Sequence, residues 1–312
     1  MKKKYKILPI FIPFSGCSNR CVYCNQTVIT GITDTEIINS ATVQLKKWRE
    51  RSESWDELAF YGGTFTKLPL KTREALYKLA AGIPIRISTC PDDLPPDFID
   101  EINNFNIKTV EFGVQSLSDS VLKLNGRTYT AAQAVDTINS IANSVDISLQ
   151  FMVGMYGETR GELTYTANNI PLSHPSGTLP PGGGDTTNMA RIYPTLVLKD
   201  TTLERLYREG RYQPLTPAET LLRATWLYLA LELSGYKVIR MGLPPEAQGD
   251  SVVAGYWHPS FGDIVRKFAL QRTSGIDTIE QLRERYNEGD LWFTEKSNID
   301  LANELTGASN LR

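Results

Sequence analysis

Three of the four cysteines in this 312-residue sequence fall within one short stretch, Cys17-Ser-Asn-Arg-Cys21-Val-Tyr-Cys24. Intervals of three and two intervening residues let three thiolates from one loop converge on a single metal centre. A [4Fe–4S] cube usually takes four thiolates. Three leave one iron open, and an open coordination position is what a catalytic metal site requires. A structural zinc is the alternative, but it wants a fourth protein ligand. The only histidines, His174 and His258, are remote in sequence, and neither forms a ligand pair with another candidate.

Two further motifs carry residue types that suit a bound cofactor. Tyr61-Gly62-Gly63-Thr64-Phe65-Thr66 contains a glycine pair, and glycine permits close backbone approach to a ligand. Gly113-Val114-Gln115-Ser116 is followed by Arg127, and arginine can fork onto a carboxylate through two hydrogen bonds. Each has an ordinary reading when taken alone. A Gly-Gly pair is usually a turn, Gln115 caps a helix, and Arg127 is a surface charge. The fourth cysteine, Cys90, is followed by Pro91, which restricts it to extended backbone. His258 sits among aromatic residues (Tyr256, Trp257, Phe261). Such a histidine is commonly packed and hydrogen-bonded, and a proton-transfer or substrate role is the alternative.

The elements that must position these residues alternate. Strand candidates are Ile7–Ile12, Leu58–Tyr61, Ile85–Ser88, Thr109–Val114, Ile147–Val153 and Ala190–Tyr193. Helical patterns such as Glu36–Arg51, Lys71–Ala81 and Ala131–Asn143 lie between them. This alternation predicts βαβ units, a parallel sheet and a partial (β/α)6 barrel of the α/β class. Barrels of this kind place their chemistry in the loops after the strands, where the motifs above fall. Thr216-Pro217-Ala218-Glu219 reads as a capping box opening a helix to Leu233, with Gly235 as its stop. Tyr236–Met241 reads as a further strand. The expected division is a barrel over residues 1–242 and a C-terminal extension over 243–312 packed beside it. Residues 171–187 hold four prolines and four glycines and are expected to be a mobile Pro/Gly-rich insertion.

Taken together, the cysteine loop with an aromatic Tyr23 before its last cysteine, the glycine pair one βα unit later, and Gln115 with Arg127 resemble the radical S-adenosylmethionine (SAM) superfamily. Within it, the sequence is most similar to the radical domain of the elongator catalytic subunit and its short bacterial relatives. Matching stretches include Ser88-Thr89-Cys90-Pro91-Asp92, Val110-Glu111-Phe112-Gly113-Val114-Gln115-Ser116, Arg191-Ile192-Tyr193-Pro194-Thr195 and Tyr256-Trp257-His258-Pro259-Ser260-Phe261-Gly262. The resemblance implies a [4Fe–4S] cluster on Cys17, Cys21 and Cys24, with SAM chelated to the open iron. It implies reductive cleavage of SAM to a 5′-deoxyadenosyl radical, and a one-electron reductant such as flavodoxin or ferredoxin as partner. It also implies that Tyr23, Gly62, Gly63, Thr64, Ser88, Gln115, Arg127 and Arg191 surround the cofactor. Cys90, His258 and Tyr193 are the candidate catalytic residues. Two departures stand out. Cys90 occupies a position where relatives commonly carry arginine, and Met155-Tyr156-Gly157-Glu158-Thr159 replaces a Leu-Pro-Gly-Glu-Thr pattern. The sequence leaves no room for the acetyltransferase domain with which the elongator subunit modifies wobble uridine, so that reaction is not carried over. Oxygen-independent coproporphyrinogen oxidase is a more distant likeness.

Composition sets the outer bounds. With 41% hydrophobic and 22% charged residues the chain has ample material for a core. A net charge of -2 offers no strong field for a polyanion, so an RNA substrate is open by family analogy but not supported by charge. The apolar run at 7–14 is interrupted by Pro9 and Pro13 and suits neither a membrane span nor a signal peptide. Clustered thiols outside a disulfide framework fit a reducing cytoplasm.

Overall fold

A computed structural model describes residues 5–26, 36–52, 54–92, 94–171, 188–243 and 251–307. In chain order the strands are β1 (Ile7–Phe11), β2 (Glu57–Tyr61), β3 (Ile85–Thr89), β4 (Ile107–Gln115), β5 (Asp146–Val153), β6 (Met189–Pro194), β7 (Val197–Leu198), β8 (Lys237–Met241) and β9 (Val252–Ala254). The helices are α1 (Ile37–Arg49), α2 (Leu70–Leu79), α3 (Phe98–Asn104), α4 (Asp119–Leu124), α5 (Ala131–Ile141), α6 (Arg160–Asn168), α7 (Thr202–Arg208), α8 (Pro217–Leu233), α9 (Phe261–Arg272), α10 (Ile279–Arg285), α11 (Asp290–Thr294) and α12 (Lys296–Thr306). Seven strands pair in the order β1-β2-β3-β4-β5-β6-β8. This is the strand order of a partial (β/α) barrel, and the strand expected after α8 joins it as β8. The expected insertion at 171–187 lies, beyond its first residue, outside the described residues.

Backbone proximity divides the chain into two compact units. The first comprises Met1–Arg20, Gln26–Val114 and Ala132–Leu149. Within it β1, β2, β3 and β4 pair in parallel, with Ile7 opposite Glu57, Leu58 opposite Ile85, and Ile87 opposite Val110. Leu58, Ala59, Phe60, Ile87, Val110 and Phe112 are fully buried, as expected of parallel strands covered on both faces. A polar network is buried among them. Arg86 Nε lies 2.8 Å from Glu57 Oε2, and Thr109 Oγ1 donates to Glu57 Oε1 at 2.6 Å. Glu111 lies 3.5 Å from Arg86 Nη1 and accepts from Ser88 and Ser148 at 3.3 and 3.2 Å. Two carboxylates and one guanidinium taken out of water are tolerable only because hydroxyls occupy the remaining acceptor positions. A second buried pair, Arg73 with Glu101, is completed by the Tyr77 hydroxyl at 3.0 Å.

The second unit comprises Cys21–Asn25, Gln115–Ala131 and Gln150–Arg312. Here β6 and β8 pair in parallel, and β7 and β9 form a short antiparallel ribbon that the residue pattern did not announce. Helix α8 is buried nearly all round, which explains its run of apolar residues without a polar stripe. Helices α9, α11 and α12 pack on it. Trp226 of α8 meets Trp292 at 5.7 Å between ring centroids, and Trp292 Nε1 donates to the Leu222 carbonyl at 2.9 Å. Thr216 caps α8 by accepting from Glu219 N at 3.2 Å. The Glu219 carboxylate is drawn instead to Arg160 and Arg223, at 2.7 and 2.9 Å. Side-chain charge outcompeted the local backbone amide that a full capping box would have used.

Glu158 follows β5 and is buried. It accepts from Gly154 N at 2.8 Å and pairs with Arg223 at 3.0 Å. Burial nevertheless raises its carboxyl to about 7, outweighing the opposing pull of Arg223. The folded protein then holds a proton there that the unfolded chain has lost above its ordinary carboxylate range. This contribution to stability is full below about pH 4.5 and is lost as pH rises through about 7. Glu158→Gln should therefore flatten the decline in unfolding free energy between pH 5 and 8, read by urea denaturation. A variant with the wild-type slope would place the titrating group elsewhere.

Candidate active site and cofactor-binding residues

The cysteine loop begins in the first unit. Leaving β1, the chain turns through Phe14 and Gly16, both at positive φ (56° and 74°), and Cys17 N donates to the Phe14 carbonyl at 3.0 Å. The Arg20 guanidinium stacks over the Phe14 ring at 3.2 Å. This turn is locked against the loop after β2. Thr64 N donates to the Ser15 carbonyl at 2.7 Å, and Cys17 Sγ lies 3.5 Å from Thr64 Oγ1. A Cβ on Gly63 would stand 2.2 Å from the Ser15 carbonyl oxygen, and Gly63 has φ of 73°. Glycine is thus required here by close backbone approach, and what approaches is the cysteine turn itself. Gln26 completes the lock, its Oε1 accepting from Phe14 N at 2.5 Å and from Gly63 N at 3.0 Å.

Cys21 and Cys24 belong to the second unit. Cys24 N donates to the Cys21 carbonyl at 3.0 Å, giving a tight turn. Arg127 Nη1 donates to Cys21 Sγ at 3.1 Å, while its Nε donates to the Tyr129 hydroxyl at 3.0 Å. The guanidinium also stacks on the Tyr129 ring at 4.9 Å. Arg127 is therefore not a bare surface charge but a cation held against a cysteine. Asn125 ties the segment down. Its carbonyl accepts from Val22 N at 3.2 Å, and its side-chain amide donates to the carbonyls of Val121 and Tyr156, both at 2.8 Å. The Tyr23 ring packs on a cluster of Val121, Met152 and Met155 that Tyr193 also joins. Burial, with Cys21 adding to it, pushes the Tyr23 phenol well above its usual range, and its hydroxyl is buried without a hydrogen-bond partner among the described residues.

The remaining predicted residues have specific surroundings. Gln115 ends β4 with φ of 65°, a backbone strain that costs of order 1–3 kcal/mol for a residue other than glycine. It is buried, and its Oε1 accepts from Gln150 at 3.4 Å. Ser88 is engaged by Glu111 in the buried network of the first unit. Arg191, also buried, points Nη1 at the Tyr193 hydroxyl at 3.4 Å. Cys90 directly follows β3 and is partly buried. His258 Nδ1 accepts from Ser260 N at 3.1 Å, and its ring stacks on Tyr256. His174 lies outside the described residues. The structure adds Gln26, Asn125 and Gln150 to the candidates. A lone glutamine or asparagine with no motif around it offers no signal in a sequence.

The donor set suits an iron–sulfur group. No disulfide joins the four cysteines. A guanidinium beside Cys21 complements thiolate charge, and the buried Tyr23 hydroxyl between Cys21 and Cys24 is left for a polar neighbour. Among the described residues no three Cys, His, Asp or Glu side chains are gathered around a single ion. A four-iron cluster places each thiolate on a different iron and does not demand such gathering.

A sequence model of the radical SAM superfamily matches residues 11–170, and one of the radical SAM C-terminal domain matches 187–269. The chain belongs to the radical SAM superfamily. Members of this superfamily use a [4Fe–4S] cluster and SAM. An uncharacterized protein of Methanocaldococcus jannaschii is 22% identical over 237 residues, covering 69% of this chain and 70% of that protein. Among solved structures, the fold is similar to N-terminally deleted Elp3 of Methanocaldococcus infernus, with a TM-score of 0.60 and 17% identity over 86% of this chain and 64% of that one. It is also similar to coproporphyrinogen III oxidase (HemN) of Escherichia coli, with a TM-score of 0.53 and 16% identity over 75% of this chain and 54% of that one. The radical SAM chain thus spans less than two thirds of either solved relative. Among its described residues no helix is long and apolar enough to cross a membrane.

The glycine lock yields a direct test. Gly63→Ala forces a Cβ onto the Ser15 carbonyl at a positive φ, so it should destabilise the metal-free protein by more than about 1 kcal/mol. Guanidinium denaturation reads this without any cofactor. An unchanged midpoint would show that the two loops are not interlocked.

Proposed function

We propose that this radical SAM protein is an enzyme that cleaves SAM reductively at a [4Fe–4S] cluster held by Cys17, Cys21 and Cys24. The observation that carries the reading is the cysteine loop inside a matched radical SAM segment, with Arg127 hydrogen-bonded to Cys21 at 3.1 Å. When bound, cluster and SAM together supply one electron and a carbon-centred radical for hydrogen abstraction. The chain's own residues hold and shield that chemistry. Gly62 and Gly63 keep the loop after β2 free of side chains, and Thr64 steadies Cys17. Arg127 offers a fixed cation to the sulfur ligands and to the carboxylate end of SAM. Tyr23 and the strained Gln115 contribute buried polar groups, with Arg191 in the middle of β6 and Ser88 near the end of β3. Tyr193 packs on the same cluster as Tyr23, which makes it a candidate for contact with substrate. A one-electron reductant of the flavodoxin or ferredoxin type is the expected partner. A nucleoside in RNA remains a substrate by analogy, and a net charge of -2 predicts that any RNA binding is weak and salt-dependent.

Anoxic reconstitution tests the proposal. It should give about four iron and four sulfide per chain, and dithionite should drive formation of 5′-deoxyadenosine from SAM. Alanine at Cys17, Cys21 or Cys24 should abolish both. Stoichiometric zinc without sulfide is the outcome that defeats it.

Cys90 separates an open cluster from a closed one. Cys90→Ser should keep its iron and its cleavage of SAM, because three thiolates suffice when one iron stays open. Iron loss as deep as in Cys21→Ala would make Cys90 a fourth ligand and the cluster structural. Arg127→Ala should weaken SAM binding by the ~1.5–3 kcal/mol of a charge-assisted hydrogen bond while the cluster still assembles. Equal affinity in equilibrium binding would leave Arg127 with the sulfur ligands alone.

A further inference from the structure

In the first unit β1 stands at one end of the strand order, and among the described residues it has a neighbouring strand, β2, on one side only. Ile12 N donates to the Tyr61 carbonyl at 2.8 Å, so Ile12 faces β2. Successive residues of a strand direct their backbone polar groups to opposite sides, which turns Ile7, Pro9 and Phe11 to the outer edge. Such an edge offers its N–H and C=O groups to any other strand. Pro9 has no N–H to offer. Phe11 has both groups, and it is the last residue of β1 before the turn that bears Cys17.

Helix α1 supplies what a further strand would. Ala41, Gln44, Leu45 and Trp48 recur at the spacing of one helix face, and α1 packs on β1. Gln44 Oε1 accepts from Phe11 N at 2.8 Å, and Gln44 Nε2 donates to the Phe11 carbonyl, also at 2.8 Å. A backbone N–H can only donate and a carbonyl can only accept, so these two bonds fix which way the carboxamide points. Nε2 also donates to Ser40 Oγ at 3.3 Å, one turn earlier on the same helix. A carboxamide carries the donor and acceptor of a peptide unit. Here it exchanges both with one residue, as the facing residue of an antiparallel strand does. From the end of β1 the backbone bonds run into the turn. Ser15 N donates to the Ile12 carbonyl at 3.2 Å, and Cys17 N donates to the Phe14 carbonyl at 3.0 Å. From the β2 side Thr64 N holds the Ser15 carbonyl at 2.7 Å. Gln44 is the restraint from the other side.

We propose that Gln44 is a positioning residue for the cluster: by standing in for a neighbouring strand at Phe11, it fixes the end of β1 from which the turn bearing Cys17 departs. It acts through the Phe11 backbone and not by touching a thiol. The residue type is selective. Glutamate keeps the acceptor and, when ionised, lacks the donor, while methionine has the length and lacks both. With either amide bond gone, the last backbone groups of β1 lose their partner at the edge where no strand replaces it, and strand ends open first where backbone bonds meet solvent. Cys17 would then be held from the β2 side alone. The inference rests on the reading of Cys17 as a cluster ligand, and it adds to that reading a helix residue remote from the cysteine motif.

Gln44→Met tests it beside Leu45→Val, which trims a buried side chain of the same helix and leaves the amide bonds in place. Hydrogen exchange at the Phe11 amide is followed by NMR in the metal-free protein. It should quicken about tenfold in Gln44→Met, the effect of one lost hydrogen bond, and stay at the wild-type rate in Leu45→Val. The Ile10 amide, which faces β2, should stay slow in both. After anoxic reconstitution and reduction, the electron paramagnetic resonance signal of the cluster should broaden in Gln44→Met and match wild type in Leu45→Val. Gln44→Glu, the milder change, should broaden it in the same sense and replaces Gln44→Met if that variant does not fold. Wild-type exchange at Phe11, or equal broadening in Leu45→Val, would overturn the proposal. A wild-type protein that assembles no cluster would defeat the radical reading and the role of Gln44 together. A wild-type cluster whose signal is unaltered in the Gln44 variants would defeat only the role of Gln44.

Discussion

Parallel pairing is the constraint on which the other features depend. A strand that must run beside its predecessor in the same direction needs a crossover, and that crossover returns each strand's C-terminal end to one edge. In the first unit β1, β2, β3 and β4 obey this, so the cysteine turn after β1 and the glycine pair after β2 emerge as neighbours. In the second, β6 and β8 do the same for Tyr193, Pro194 and Gly242. Residues separated by tens of positions in sequence meet because strand direction leaves their loops nowhere else to go.

Polar groups within the folded units are managed by pairing rather than avoidance. Glu57, Arg86 and Glu111 are buried together, with Thr109, Ser88 and Ser148 filling the carboxylate lone pairs. Such a network is weak evidence for stability, since hydrophobic replacements can do as well, but removing one member strands a charge. It also makes strand register consequential. Glu57, Arg86, Thr109 and Glu111 come from three neighbouring strands, and a one-residue slip would turn each to the opposite face. In the second unit, which holds Cys21 and Cys24, the balance differs. There Arg127 is held by Tyr129 and Cys21, Gln115 is strained, and the Tyr23 hydroxyl lacks a partner among the described residues. Local disagreement of this kind collects where a fold gives up stability for function.

Much of this was legible in the residues. Strand and helix periods in the sequence located the sheet strands to within a few positions, because apolar runs bounded by glycine, proline and polar residues have few other uses. The spacing of Cys17, Cys21 and Cys24 specified thiolate chemistry, since three thiols so close have little use in a core and no matching partners for disulfides. Thr216 and Pro217 announced the start of α8 through local backbone geometry alone. These are short-range properties, and a linear pattern carries them. Tertiary structure decided everything that depends on which loops become neighbours. It showed that close approach of the cysteine turn demands glycine at Gly63, brought Gln26 and Asn125 into service, and set Arg127 against Cys21. It redirected Glu219 from its own helix cap to Arg160 and Arg223. It also brought Tyr256, Trp257 and His258 together with Pro194 and Gly242 around one small cleft. Hydrogen bonds and ion pairs between residues distant in sequence leave no periodic trace in it, so only the folded chain could assign them.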